Sequence, residues 1–147
     1  VVDDADDELP DDLYEKVTEL SEQGNVLLEG GDPHGAIKAW RAALELLPEP
    51  QTKWEAAMWL YASIGDAQRQ ANEKAAALQS FQTALACGDG YANPFVLLGF
   101  GTCLYDLGRR DESTDPLLRT YMLEGGEIFQ DIDPVYLDHL RSKKLID

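Results

Sequence analysis

The chain has 147 residues, enough for one domain with a real core, and its apolar content of 44% is ordinary for a folded protein. Its charge is unusual: 28 acidic residues against 12 basic ones give a formal net charge of -16. This argues against nucleic acid and anionic membrane surfaces as partners, because both require Lys and Arg gathered on one face.

No apolar run approaches transmembrane length and no signal-peptide pattern opens the sequence, although a leader removed before Val1 stays open. Cys87 and Cys103 lack metal-ligand spacing and read as packed thiols rather than a disulfide, so a reducing cytoplasm is the expected compartment.

Asp3, Asp4, Asp6, Asp7, Glu8, Asp11 and Asp12 crowd the start of the chain. A like-charge run of this kind stays solvated, so residues 1–10 are expected to be a disordered acidic segment; attraction of a basic partner is the functional alternative. The first helix should begin near 10–12, capped by Asp11 or Asp12. Leu13, Val17, Leu20, Gly24, Leu27 and Leu28 then share one broad face, and Gly30, Gly31, Asp32 and Pro33 end the helix and open the next.

The second helix should run to about Leu47, with Ala36, Ile37, Trp40, Ala43 and Leu44 inward. A longer third helix is predicted over 52–71, marked by Trp54, Met58, Tyr61, Ile64 and Gln68, with Asn72 as its left-handed turn residue. The fourth covers 73–86, the Gly88-Asp89-Gly90 break follows, and the fifth spans 94–107 with Gly108 as its turn. A sixth is expected over 112–123, starting as late as 114 or 115 because Pro116 is costly deeper inside. Asp133 and Pro134 open a short seventh helix within the cap at 133–143.

Three of these helices carry a glycine in one register: Gly24, Gly65 and Gly101. Twelve residues on stand Ala36, Ala77 and Ser113; sixteen on stand Trp40, Phe81 and Leu117; nineteen on stand Ala43, Ala84 and Thr120. Small residues at a close helix crossing predict that Gly24 meets Ala36 and Gly65 meets Ala77, with the large residues filling the space beside them. The spacing is 41 residues from Gly24 to Gly65 and 36 from Gly65 to Gly101. The first excess over a unit of about 34 residues is read as two extra turns at the start of the third helix. No hairpin buries its apolar face alone, so the three must stack.

On these residues the chain resembles the tetratricopeptide repeat family. The first unit reads Leu20, Gly24, Leu27, Gly31, Ala36, Trp40, Ala43, Pro48. The second reads Tyr61, Gly65, Gln68, Asn72, Ala77, Phe81, Ala84, and the third, which has lost both alanines, reads Leu97, Gly101, Leu104, Gly108, Ser113, Leu117, Thr120. The resemblance covers about residues 17–125. It implies an all-α, right-handed superhelical stack of three helical hairpins, an α-solenoid with a terminal helix. The units are about 11–50, 51–90 and 93–125, within one domain from 11 to 147.

Family members are mostly protein-binding scaffolds whose first helices line a concave groove. The resemblance places Thr18, Ser21, Asn25, Leu28 and Glu29 there from unit one. Unit two contributes Trp59, Ala62, Asp66, Arg69 and Gln70, and unit three Phe95, Leu98, Thr102, Tyr105 and Asp106. Asn25 stands where the family often grips a peptide backbone. Members that clamp a terminal carboxylate need several basic residues, and Ser21, Leu98 and Thr102 stand where some of these would be. Glu29, Asp66 and Asp106 instead suit Lys or Arg. Among the aromatics, Tyr105 ranks ahead of Trp59 and Phe95 for exposure, the alternative being packing against neighbouring first helices.

The segment 125–134 departs from the repeat pattern, and Ile128, Phe129, Val135, Tyr136, Leu137 and Leu140 read as a cap on the last hairpin, with a partner-binding hook as the alternative. His34 and His139 have no local partner at metal-ligand spacing, no calcium-loop pattern is present, and no nucleophile has a base nearby in sequence. The expected function is therefore a noncatalytic scaffold, with no cofactor and no metal, that binds a basic or amphipathic protein segment. A bacterial chaperone, an adaptor or a toxin-neutralising protein would each fit. The alternative is a module for homo-oligomeric assembly.

Overall fold

The computed structural model describes residues 8–147, so the acidic run up to Asp7 lies outside the described residues. Among the described residues seven α-helices follow one another: α1 (Asp11–Glu29), α2 (Pro33–Leu46), α3 (Glu55–Gln70), α4 (Lys74–Leu85), α5 (Pro94–Asp106), α6 (Arg110–Glu124) and α7 (Val135–Ser142). The closest contacts pair α1 with α2, α3 with α4 and α5 with α6, and α2–α3 and α4–α5 contacts stack the three hairpins. No strand occurs among the described residues. The architecture is an all-α solenoid of helical hairpins ended by a terminal helix.

Each hairpin turn is made the same way. Gly31, Asn72 and Gly108 have φ of 88°, 62° and 83°, the left-handed region that glycine and asparagine tolerate best. The next amide then reaches back to the helix it leaves: Asp32 N–H to Leu27 O at 2.8 Å, Glu73 N–H to Gln68 O at 2.8 Å, and Arg109 N–H to Leu104 O at 2.9 Å. These bonds satisfy carbonyls that a helix end otherwise leaves open. The Asp32 carboxylate also accepts from Gly35 N–H and caps α2, whose first residue is Pro33.

The atoms nearest each of the glycines Gly24, Gly65 and Gly101 belong to the large residue of the second helix. A Cβ built on Gly24 would lie 2.2 Å from Trp40 Nε1, and one on Gly65 would lie 2.7 Å from the Phe81 ring. Each glycine is thus a notch for the large side chain of the second helix. The Trp40 indole lies so deep in its notch that its N–H donates to Ser21 O at 3.1 Å. Phe81 is gripped from two sides, because a Cβ on Gly99 would lie 2.2 Å from its ring. In the third hairpin the partner is Leu117, at 2.9 Å.

Ser113 and Thr120 replace alanines there and are fully buried, yet their hydroxyls bond back to Arg110 O (2.6 Å) and Pro116 O (2.8 Å). A buried hydroxyl with a partner avoids the desolvation penalty, so the degraded unit still packs.

One helix cap and two helix starts differ from expectation. α1 has Pro10 at its cap with no side-chain bond; Asp11 and Asp12 sit inside its first turn, where they favour the positive helix end by charge. α3 begins at Glu55 rather than 52, because the chain makes a 3-10 turn at Gln51–Lys53 and Trp54 is extended. Trp54 is buried and its indole donates to Pro48 O at 2.8 Å, so tertiary anchoring overrides helix propensity.

The unequal periods therefore do not reflect two extra turns on α3. The first period exceeds the second because α3 has three more residues before its glycine than α5 and α2 runs two residues further past its alanine than α4, while the glycine keeps its place before each turn. α6 begins at Arg110 and carries Pro116 inside it. The Arg109 guanidinium forks the Glu112 carboxylate at 2.6 and 2.9 Å across that first turn, and the Ser113 and Thr114 hydroxyls both donate to Arg110 O.

Two apolar clusters result. The larger runs from Val17 through Trp40, Trp54, Ile64 and Phe81 to Leu104, and Leu9 packs against it from the start of the chain. The second joins Leu117 to Phe129, Tyr136 and Leu140, with Ile128, Val135 and Leu137 at its edge. The segment read as a cap thus covers the last hairpin.

Candidate protein-binding groove

The faces of α1, α3 and α5 that avoid both clusters make the concave side. Trp59 and Phe95 meet there with ring centroids 6.5 Å apart, at 43% and 58% exposure. Two indole- and phenyl-sized surfaces held open to water by rigid helices are a costly arrangement unless something covers them. The expected order of exposure is reversed. Tyr105 is only half-buried because its ring packs edge-on against Tyr136 and His139, both at 5.4 Å, beneath the Arg110 guanidinium at 4.9 Å.

Among the described residues, two hollows bring candidate groove residues together, and Trp59 lines one of them. The first, about 600 Å3, lies between the N-terminal parts of α1 and α3, with Tyr14, Val17, Trp54 and Trp59 as walls and Glu22 and Glu55 among its rim groups. Thr18 and Ser21 also line it. The residues that sequence reasoning missed are Tyr14, Glu22 and Glu55. For Tyr14 the legible signal was the length of the first helix, whose extra turn at its start lies ahead of the repeat register.

The second hollow, about 430 Å3, lies nearer the hairpin turns and brings together Leu28, Asp66, Arg69, Gln70, Lys74 and Asp106. Here the charges answer one another. Arg69 Nη2 lies 3.3 Å from Asp106 Oδ2, and Tyr136 O–H donates to Asp106 Oδ1 at 2.7 Å. Asp106 therefore joins α5 to α3 and to the cap, where the sequence had it open to a basic partner.

Asp66 is solvent-exposed, yet the surrounding groove walls strip part of its hydration and push its carboxyl above its usual value, against the opposing pull of Arg69. Asn25 and Glu29 are exposed on α1 and line neither hollow.

Other titratable groups are bound into the scaffold. Burial pushes the Cys103 thiol up to about 12, so it stays protonated, and Cys87 is raised for the same reason. His34 pairs with Glu73 across the first two turns, and His139 pairs with Thr114 Oγ1 at 2.8 Å. Among the described residues no group of three His, Cys, Asp or Glu side chains could hold a metal ion, and no helix is long and apolar enough to cross a membrane.

This stack of helical hairpins has counterparts among solved structures. The fold is tetratricopeptide-repeat-like. The chain is similar to the crystal structure of MamA, with 21% identity and a TM-score of 0.67 over 88% of this chain and 69% of that one. It is similar to the first TPR of Spaghetti (RPAP3) bound to the HSP90 peptide SRMEEVD, at 18% identity and TM-score 0.69, covering 88% of this chain and 94% of that one. It is also similar to the second TPR domain of human RPAP3 in complex with the HSP70 peptide SGPTIEEVD, at 17% identity and TM-score 0.69, covering 90% and 98%. The sequence matches no family model and no curated relative.

Proposed function

We propose that this protein is a scaffold of three tetratricopeptide-type repeats that binds a basic or amphipathic segment of another protein along its concave face. The observation that carries this reading is the Trp59–Phe95 pair, exposed and adjacent on two first helices. The similar RPAP3 domains bind peptides, which supports peptide binding as the general role. Those peptides are acidic, whereas the hollow beside Trp59 carries Glu22 and Glu55 and is lined by neither Lys nor Arg. A chaperone, adaptor or toxin-neutralising role would each use such a surface.

A photo-crosslinking residue placed at position 59 or 95 tests the reading, with positions 41 and 82 on the second helices as controls. A protein partner should crosslink from 59 and 95 and not from 41 and 82. Crosslinking from the second helices alone would remove the groove from the mechanism. Assembly of identical copies is a second reading, favoured by Met122 and Leu123, which are 76% and 53% exposed at the end of α6. Mass that rises with protein concentration, and no longer does so after Met122→Ser and Leu123→Ser, would support it.

A further inference from the structure

The concave face is not uniform, and its asymmetry narrows the chemistry of what it can bind. Resting on the groove reading above, we infer that the hollow between α1 and α3 receives a Lys or Arg side chain of the bound segment, while an apolar residue nearby in that segment covers Trp59 and Phe95. The occupant is thus an amphipathic cationic segment of another protein, held at the α1–α3 end of the groove.

Three observations carry this. The hollow of about 600 Å3 is much larger than one side chain and has aromatic walls: Tyr14 is 62% exposed and Trp59 43% exposed. An aliphatic stem fits against such walls while its charged head reaches the rim, as Lys and Arg do at apolar surfaces. The chain already shows this geometry internally, with Lys53 Nζ 4.4 Å from the Trp54 ring centroid and the Arg110 guanidinium 4.9 Å from that of Tyr105.

The rim is also of one sign. Glu8, Asp11, Glu22 and Glu55 line it, and no basic side chain does. None of these four forms an ion pair among the described residues. The positive ends of α1 and α3 oppose a cation, but each is worth about half a charge and is already faced by Asp11, Asp12 or Glu55 in its own first turn. The second hollow lacks this imbalance, because Arg69 and Lys74 sit among its acids and Arg69 is paired with Asp106. Selectivity for a cation therefore belongs to one end of the groove.

Charge complementarity also decides between occupants. A second copy of the chain brings a net charge of -16 and is repelled from this rim. A foreign cationic segment is attracted.

Three synthetic probes test the inference on the full chain: an amphipathic helix of leucines and lysines, the same helix with glutamates for lysines, and an oligolysine. Calorimetry gives affinity, and NMR follows the Trp59 indole and Phe95 ring. The leucine–lysine helix should shift both rings and saturate, the glutamate helix should not bind, and the oligolysine should be lost at moderate salt. Glu22→Gln with Glu55→Gln should weaken the lysine helix about tenfold, two partly desolvated ion pairs at roughly threefold each. Glu45→Gln with Glu124→Gln, an equal charge change on α2 and α6, should change affinity less than about twofold.

Equal weakening by both variant pairs would overturn the inference, since net charge alone would then be at work. Shifts at Trp59 and Phe95 that ignore Glu22 and Glu55 would overturn it while leaving the groove reading intact. Binding that moves neither ring would sink both. Dimerisation abolished by Trp59→Ala would assign the hollow to a second copy and overturn the inference too.

Discussion

The first and third hairpins share one register of glycine, small and large residues, yet they present opposite surfaces. On α1 the positions Thr18, Ser21 and Asn25 remain open or only half-covered, and the helix extends well beyond the repeat pattern at its N-terminal end. On α5 Leu98, which matches Ser21, and Tyr105, which matches Leu28, are drawn under the cap, and Asp106 is held by Tyr136 and Arg69. The difference teaches that register assigns a residue to the concave side but not to solvent. Whether a concave position can meet a partner depends on what the neighbouring segment has already claimed.

The largest expected effect tests the closed end. Leu140 is completely buried, so Leu140→Ala should cost about 2–4 kcal/mol in denaturant unfolding, combining lost transfer energy with a residual cavity. Val17→Ala at the open end, which removes two methyl groups from a site with a freer edge, should cost about half as much. Equal losses would show that the cap contributes no more cohesion than the open helix.

Next come the notches. Gly24→Ala drives a methyl into the rigid Trp40 indole and should cost about 1–3 kcal/mol, even after the gain of up to about 1 kcal/mol in helix propensity. A Cβ on Gly101 would meet Leu117 Cδ2 and Cγ at 2.9 Å and the Leu117 backbone nitrogen at 3.3 Å, so Gly101→Ala should also destabilise, by about 1 kcal/mol and less than Gly24→Ala, because the aliphatic side chain can change rotamer where the indole cannot. Thermal melts of the two variants check the contrast, and a reversed order would break it.

Tyr136→Phe should cost about 1.5–3 kcal/mol, the range for a hydrogen bond to a charged partner. Its signature is a loosened Arg69: solvent exchange at the guanidinium should rise in the variant, while the shifts of Trp59 at the open end stay fixed.

The smallest effect depends on pH. Burial and Lys143 push His139 below its ordinary value, so the folded cap favours neutral imidazole. The associated stability is present above the unfolded value of about 6.5 and is lost as pH falls through that value toward the lower folded one. The side chain is partly exposed, so the loss between pH 7 and 5.5 should stay below about 0.5 kcal/mol. His139→Gln should flatten that part of the stability profile; an unchanged slope would reject the assignment.

Much of this fold was legible before any coordinates. Gly31, Asn72 and Gly108 were readable as left-handed turns because few residues tolerate that backbone, and Pro33 and Pro94 marked helix starts through their fixed φ. The start of α3 was not, because Trp54 leaves the helix to bury its ring and bond Pro48, a contact outside any local propensity. Pro116 misled in the same way: Arg109, Ser113 and Thr114 support a helical turn that the proline alone would discourage.

The candidate site divided along the same line. Trp59, Asp66 and Phe95 were placed on the concave side by register and do lie open there. Glu55 and Tyr14 escaped notice because they enter the hollow from the first turns of α3 and α1, ahead of the repeat positions, and Glu22 because it lies between two repeat positions, Leu20 and Gly24, without occupying either.

By itself, then, the sequence determined the hairpins, their turns, the stacking and the capped end, because periodicity, glycine tolerance and apolar patterning are local and repeat. Only the tertiary structure decided which concave residues remain available. Glycine met the large side chain directly, Tyr105 and Asp106 turned inward, and an acidic aromatic hollow formed between the N-terminal parts of α1 and α3. Those outcomes depend on distances between segments far apart in the chain, and residue spacing carries no record of them.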